Sequence, residues 1–528
     1  MPSEENSPSQ ARSARIARAL LLALALLWCL YWFAHSWHYW EDDAYIHLEF
    51  ARSLAAGRGF AFNGHVVAGE TAPLWVMLLV AMHAIVPDWL VAGKALAALG
   101  TVLGLGGAYA FARRLASSML PARFDATVFP AALVLLAVAN PYFCYWAFSG
   151  MESVAAAGLA CFAVLAATRA RPTAATFLAA CLLAGIGPLL RPEMFFLAAL
   201  LAVPLLGQWR RLPGDGASRS KRTVFAFGSL LAAAPLALWS LYSLHAFGHL
   251  LPNTNAAKRA APADSVVLHL LSIYSLGLPL ILGGLAAGIV YLILRPATVR
   301  RSLRNALAAA LDPPCEAGAQ PSLGLPLVGW LFVLWSTVAA LFYIADHTYV
   351  QTRYILVTAP GLMAVVLLLA LQLARRAGRV FYLAALVAAL GVSGIIVRPF
   401  IRNKALNCQA LSSLALYIHR SLPPNAPVAD YSIGEMAFIS QHPIVDIGGI
   451  TRPGAIPYLN SPPEEMLRWA RSQGARYCIC SHPGPGAALI DSVDMRFVGW
   501  SFHPSRYATS SHTELWKLAP EPSASNPR

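Results

Sequence analysis

The sequence predicts an all-α polytopic membrane domain of about 11–13 transmembrane helices followed by a small C-terminal α/β domain. Three observations predict it. Apolar runs of spanning length recur along most of the 528 residues. Only 12% of residues are charged, against about 25% in an ordinary soluble domain. Basic residues fall in short clusters between the runs, which is the pattern of positive-inside loops. The formal charge of +14 therefore points to membrane topology, and nucleic acid is not an expected partner.

Met1 to Arg18 is polar and basic, and the apolar run from Ala19 to Ala34 reads as a retained first helix behind a cytoplasmic tail of residues 1–15. Runs then recur near 72–87, 89–112, 126–142, 153–168, 173–190, 194–207, 223–246, 266–294, 323–345, 355–374 and 380–398, giving a membrane domain over 16–402. The loops holding Arg169 and Arg171, Arg210 to Arg222, Arg295 to Arg304 and Arg375 to Arg379 fall inside. Segments 141–152, 247–264, 346–353 and everything after Pro399 then fall outside. The runs 72–87, 89–112 and 126–142 cannot all span on this count, so one of them is expected to be short, re-entrant or broken.

From about Asn403 short apolar runs alternate with Gly, Pro and Asn: Pro427 to Asp430, Pro443 to Asp446, Arg476 to Cys480, Phe497 to Trp500 and Glu514 to Leu518. Pro462-Pro463-Glu464-Glu465 opens a helix, with acids at its positive end. These features predict an extracytoplasmic α/β domain over 403–519 and a disordered tail over 520–528. Of the eight cysteines most lie in apolar runs, as small buried hydrophobes do. Cys408 has the option of a disulfide with Cys478 or Cys480.

The chemistry concentrates in the first outer loop, residues 36–72. Glu41, Asp42 and Asp43 follow the first span directly, beside Trp37, Tyr39 and Trp40. Carboxylates there need water, a cation or a cationic partner; they form either a solvated patch at the membrane interface or part of a site. Ala44 to Ala55 has an apolar face at helical spacing (Ile46, Phe50, Leu54), predicting a helix on the membrane surface. Gly57, Gly59 and Asn63-Gly64 turn the chain back. Glu70 then lies within reach of Asp42 and Asp43, and such a cluster could bind a metal or deprotonate a hydroxyl.

Glu152, Arg191 and Glu193 stand at the ends of apolar runs, where charge is costly, and either pair to fix helix packing or support a site. Lys258 and Arg353 lie near the outer surface and either snorkel to headgroups or bind an anion. His47 and His347 are lone histidines, for which ordinary polar contacts compete with metal ligation.

EDDAYI…FARSLAAGRGFAFN…GETAPLW resembles the first-loop pattern of the GT-C superfamily, the polyprenyl-phosphate-sugar-dependent glycosyltransferases. The likeness is greatest to the branch containing the terminal arabinofuranosyltransferases of mycolate cell walls. Ser149-Gly150-Met151-Glu152, Leu190-Arg191-Pro192-Glu193, the stretch from Phe247 through Pro252-Asn253-Thr254 to Lys258, Arg353-Tyr354 and Asp430-Tyr431-Ser432-Ile433-Gly434 extend it along the chain.

The resemblance implies a GT-C-like multi-pass protein of the inner (cytoplasmic) membrane. It would move a sugar from a polyprenyl-phosphate donor to an envelope glycan, lipid or protein on the outer face. It implies Asp42 as the catalytic acid with Asp43 as the alternative, and Glu70 as an acidic residue that binds metal or orients the acceptor. An inverting transfer needs a base for the acceptor hydroxyl, and positive charge or a divalent metal such as Mg or Mn for the departing phosphate. Lys258 and Arg353 are the candidate phosphate ligands. The competing class is a transporter or non-catalytic envelope protein, whose intramembrane Arg and Glu would line a pathway. Transporters often carry repeated halves, and this sequence shows no such repeat.

Overall fold

The computed structural model describes residues 8–120, 123–213, 219–260, 296–311, 325–373, 378–480, 487–494 and 512–518. The expected span at 266–294, the run Phe497 to Trp500, the basic residues Arg295, Arg375 and Arg376, and the tail 520–528 lie outside the described residues.

Helix α1 (Pro8–His35) leads into α2 (Asp42–Ala55), a β1–β2 hairpin (Ala61–Phe62, His65–Val66) and α3 (Pro73–His83). Asn63 and Gly64 form the hairpin turn, both with positive φ (51° and 78°). That is the geometry in which Asn-Gly is favoured. Next come α4 (Trp89–Met119), α5 (Arg123–Ala139), α6 (Pro141–Ala147), α7 (Ser153–Ala167), α8 (Ala174–Leu190), α9 (Met194–Arg211), α10 (Arg219–Phe247) and α11 (Asn253–Ala260). The helical part closes with α12 (Pro296–Leu311), α13 (Leu327–Ala345), α14 (Thr352–Leu356), α15 (Ala359–Leu373) and α16 (Gly378–Ser421).

Among the described residues α1, α4, α10 and α13 are long and apolar enough to cross a membrane, and α3, α5, α7, α8 and α15 contain shorter apolar stretches. Leu20 and Leu27 on α1 and Leu238 and Leu241 on α10 are more than 60% exposed, an arrangement that lipid solvates and water does not. With 11 residues, α3 covers about 16 Å at ~1.5 Å per residue, half of the ~30 Å hydrocarbon core. It is the shortest of the three early runs.

Packing is closest where side chains are smallest. A Cβ on Gly104 of α4 would lie 2.5 Å from Val154, and one on Gly107 would lie 2.7 Å from the Gly158 carbonyl on α7. Such small-residue faces let helices approach in lipid, where dispersion replaces the hydrophobic effect. The basic loops gather at one end: Arg211 donates to the Arg169 carbonyl (3.5 Å) and Lys221 to that of Arg210 (2.8 Å). At the other end Lys94, buried on α4, donates to the carbonyls of Ser36 (3.0 Å), Phe148 (2.6 Å) and Tyr39, and lies 4.4 Å from the Trp40 ring. This cation pins the first loop to the α6–α7 turn.

Helix α16 continues unbroken across the expected boundary at 402/403 to Ser421, and the sheet begins at Val428. The C-terminal region is a five-stranded sheet in the order β4-β3-β5-β7-β6, where β3 is Val428–Asp430, β4 Ile444–Asp446, β5 Tyr477–Ile479, β6 Ala488–Asp494 and β7 His512–Lys517. Strands β3, β4 and β5 run parallel, and β7 pairs antiparallel with β5 and β6. Helices α17 (Ile433–Ser440) and α18 (Pro463–Ser472) connect the parallel strands. Cys408 donates its thiol to the Trp40 carbonyl (3.0 Å) instead of bridging to Cys478 or Cys480.

Helix α2 departs from expectation. It does not rest on a membrane surface: Leu48, Phe50 and Ala51 are fully buried, because α17 of the C-terminal region covers the side that the helix bundle does not.

Candidate active site

Several of the charged residues singled out from the sequence meet at the end of the bundle opposite the basic loops. They line a cavity of about 400 Å³ whose wall includes Asp43, Glu70, Arg191, Glu193, Lys258 and Arg353. Asp43 and His47 stand one turn apart on α2, so both face the cavity. Glu70 comes from the segment before α3, Arg191 and Glu193 from the α8–α9 turn, Lys258 from α11 and Arg353 from α14. Asn253 ties α11 to the first loop through its N–H and the Ala68 carbonyl (2.8 Å). Trp146 holds the start of α14 through the Thr352 hydroxyl (2.6 Å).

Asp43 forms an ion pair with Arg353. Burial alone would raise the Asp43 carboxyl, but the Arg353 and Lys258 charges outweigh it and hold the group below its ordinary value. Arg353 is only 4% exposed, and its Nε and Nη1 have no hydrogen-bond partner among the described residues. The Lys258 ammonium lies 4.9 Å from the Tyr354 ring centre and makes no ion pair among the described residues. A buried guanidinium with two open donors is costly unless an anion meets it.

Beside this lies a saturated charge chain. His47 Nδ1 is 2.8 Å from Glu70, and its Nε2 is 3.2 Å from Glu152. Arg191 donates to Glu152 (2.7 Å) and forms a two-point pair with Glu193 (3.0 and 2.5 Å), which also accepts from Tyr343 (2.5 Å). Burial opposes charge on His47, but Glu70 and Glu152 outweigh it and push its pKa up to about 10. His47→Ala would leave two buried carboxylates short of a partner, so a loss of about 3–5 kcal/mol is expected. The thermal midpoint of the purified protein should fall accordingly, and an unchanged midpoint would show that the chain contributes nothing to stability.

Asp42 points elsewhere. It does not line the cavity; its carboxylate accepts the backbone N–H groups of Glu435 (2.9 Å) and Gly434 (3.2 Å) at the start of α17. Burial, with Asp43 and Glu41 nearby, pushes Asp42 up to about 7 against the pull of those two amides. Glu70 spends one oxygen on His47 and the other on the Ala72 N–H (2.6 Å). Among the described residues no three His, Cys, Asp or Glu side chains converge as a metal-ligand group. His347 sits outside the cavity wall. The wall also includes residues that sequence reasoning passed over: Tyr343, Phe196 and, from the C-terminal region, Ile450. Their ordinary apolar or aromatic character carries no local signal.

The fold defines a helical, multi-pass membrane protein with a small sheet region at its C-terminus and a charged cavity at one end of the helices. The chain is similar to the crystal structure of ArnT from Cupriavidus metallidurans bound to undecaprenyl phosphate, with a TM-score of 0.54 at 15% identity, covering 95% of this chain and 98% of that one. The apo ArnT structure matches at 0.54 and 14% identity, covering 96% and 98%. No family model matches the sequence, and no curated protein matches it.

Proposed function

We propose that this chain is a membrane glycosyltransferase that takes its sugar from a polyprenyl-phosphate donor. The observation that carries the proposal is the pairing, in one cavity, of an ionised carboxylate on Asp43 with the open donors of Arg353 and the nearby Lys258 ammonium. Lipid access is provided by the aromatic and aliphatic side of the wall, where Phe195 (52% exposed), Phe342 and Leu251 continue the cavity onto the lipid-facing surface. The related architecture of ArnT, crystallised with undecaprenyl phosphate, supports the same donor class.

In the reaction an acceptor hydroxyl attacks the anomeric carbon of the donor. Asp43 takes the hydroxyl proton as the new C–O bond forms, the bond from that carbon to the phosphate oxygen breaks, and Arg353 and Lys258 hold the departing lipid phosphate. A single displacement of this kind inverts the anomeric centre. Glu152, Arg191 and Glu193 act by holding His47 and the α8–α9 turn in place. The site lies opposite the Arg169 and Arg210 loops; basic loops favour the cytoplasmic side, which supports an outer-face position in the inner membrane for the site and the C-terminal region. The first-loop pattern favours an arabinofuranosyl donor and an envelope glycan, lipid or protein as acceptor.

Deleting the gene should remove one glycosidic linkage from the envelope and cause a lipid-linked sugar to accumulate, both read by glycan and lipid analysis. An unchanged glycan profile with altered solute uptake would instead establish the transporter reading.

A further inference from the structure

The C-terminal region touches the elements that build the cavity at three places. Its helix α17 receives Asp42 at its first N–H groups, and such a cap satisfies donors that a helix cannot satisfy itself. The two backbones touch here: a Cβ on Gly434 would run into the Asp42 carbonyl and lie 2.9 Å from the Ile46 nitrogen. Farther along the same contact, Arg52 donates to the Phe438 carbonyl (3.2 Å) with its guanidinium 4.9 Å from that ring, and Asn63 donates to the Ile444 carbonyl (3.2 Å).

A second contact involves the loop after β4. Asp446, fully buried, gathers the N–H groups of Gly448 (2.7 Å), Gly449 (3.0 Å) and Thr451 (2.5 Å) and so shapes the loop that places Ile450 in the cavity wall. At the third, Asn460 donates to the Ala260 carbonyl (2.7 Å), at the end of the helix that carries Lys258.

We propose that Asp42 is a positioning residue, the latch by which the C-terminal region fixes the helix carrying Asp43 in its reactive place. This inference rests on Asp43 being the base. Asp42 and Asp43 are neighbours in sequence, but they project from α2 in different directions. One is held by α17 and the other faces the donor cations, so the hold on the first sets the aim of the second. A displacement of about 1 Å at a reacting group can cost on the order of 100-fold in rate. The donor cations sit on α11 and α14, to which Asp42 makes no hydrogen bond among the described residues, so loss of the latch acts on the chemical step more than on donor binding.

The test uses the full-length protein, a polyprenyl-phosphate sugar and four variants. Asp42→Asn keeps a side-chain oxygen to accept one α17 N–H and should retain kcat within about threefold, as an N-cap replacement does. Asp42→Ala should lower kcat at least tenfold while the donor KM stays within about twofold, and hydrogen exchange at the Gly434 and Glu435 amides should speed up. Gly434→Ala leaves Asp42 intact but wedges the same contact from the other side, and should give the same split between kcat and KM. Inactive Asp42→Asn with normal exchange at those amides would make Asp42 a chemical participant and overturn the proposal. Full kcat in Asp42→Ala or in Gly434→Ala would overturn it as well. An active Asp43→Asn protein would instead remove the reading of Asp43 as the base, and the exchange measurements would still report whether the latch exists.

Discussion

Asp43→Asn is expected to lower kcat by about 10²–10⁴-fold, the usual contribution of a positioned general base, while the donor KM changes little. Asp43 is the acid of the EDD run that lines the cavity, and although it is partly buried the neighbouring guanidinium and ammonium hold its carboxyl below the ordinary value. A carboxylate stabilised in this way is a weak base toward a free hydroxyl. It accepts the proton late, when the acceptor oxygen is already bonding to the sugar and its acidity has risen. Asparagine has nearly the same shape and still accepts a hydrogen bond from Arg353, so the fold and the phosphate subsite should survive. Steady-state kinetics on folded protein checks this, and kcat near that of the wild type would exclude Asp43 as the base. Asp42→Asn should behave in the opposite way, because its carboxylate is committed to the amides of Gly434 and Glu435.

The contrast between these adjacent acids shows what the sequence could and could not convey. Spacing and composition located the loop, its helix and its Gly and Asn-Gly turns, since those depend on local propensities. Most of the strands of the C-terminal sheet were equally legible: β3, β4, β5 and β7 fall on apolar runs flanked by Pro and Gly, whereas β6, with Asp491 and Asp494 in it, has no such run. Which of Asp42 and Asp43 faces the cavity depends on α17, whose chain lies almost 400 residues downstream (|i−j| = 392). Helical periodicity along α2 fixes the angle between the two side chains but not which partner covers which side. For the same reason α2 reads as a membrane-surface helix in isolation, and becomes buried only when α17 closes over it. Arg191 with Glu193 could be paired from the motif itself, because two residues across a helix turn are near in any fold. The link through Glu152 and His47 to Glu70 required four separate segments to converge.

Arg353→Ala should weaken use of the donor by about 1.5–3 kcal/mol, the range for a lost charged hydrogen bond, or roughly 10- to 150-fold in kcat/KM for the donor. Two effects act together in this variant, and pH separates them. The first is loss of the phosphate ligand: the open Nε and Nη1 of Arg353 disappear, leaving Lys258 as the nearby cation. The second acts on Asp43. Burial pushes this carboxyl up while Arg353 and Lys258 pull it down, with the net shift below its ordinary value. A depressed carboxyl remains the working base until pH falls through its lowered pKa, so the acid limb of kcat/KM in the wild type should lie below the ordinary carboxylate range. Removing Arg353 leaves the burial effect opposed by less positive charge, and the acid limb must then move to higher pH. Arg353→Lys restores a charge without the planar pair of donors, so it should recover much of the limb's position but less of the donor affinity. Unchanged donor kinetics together with an unmoved acid limb in Arg353→Ala would take this residue out of the site, and with it the argument for a phosphate between α11 and α14.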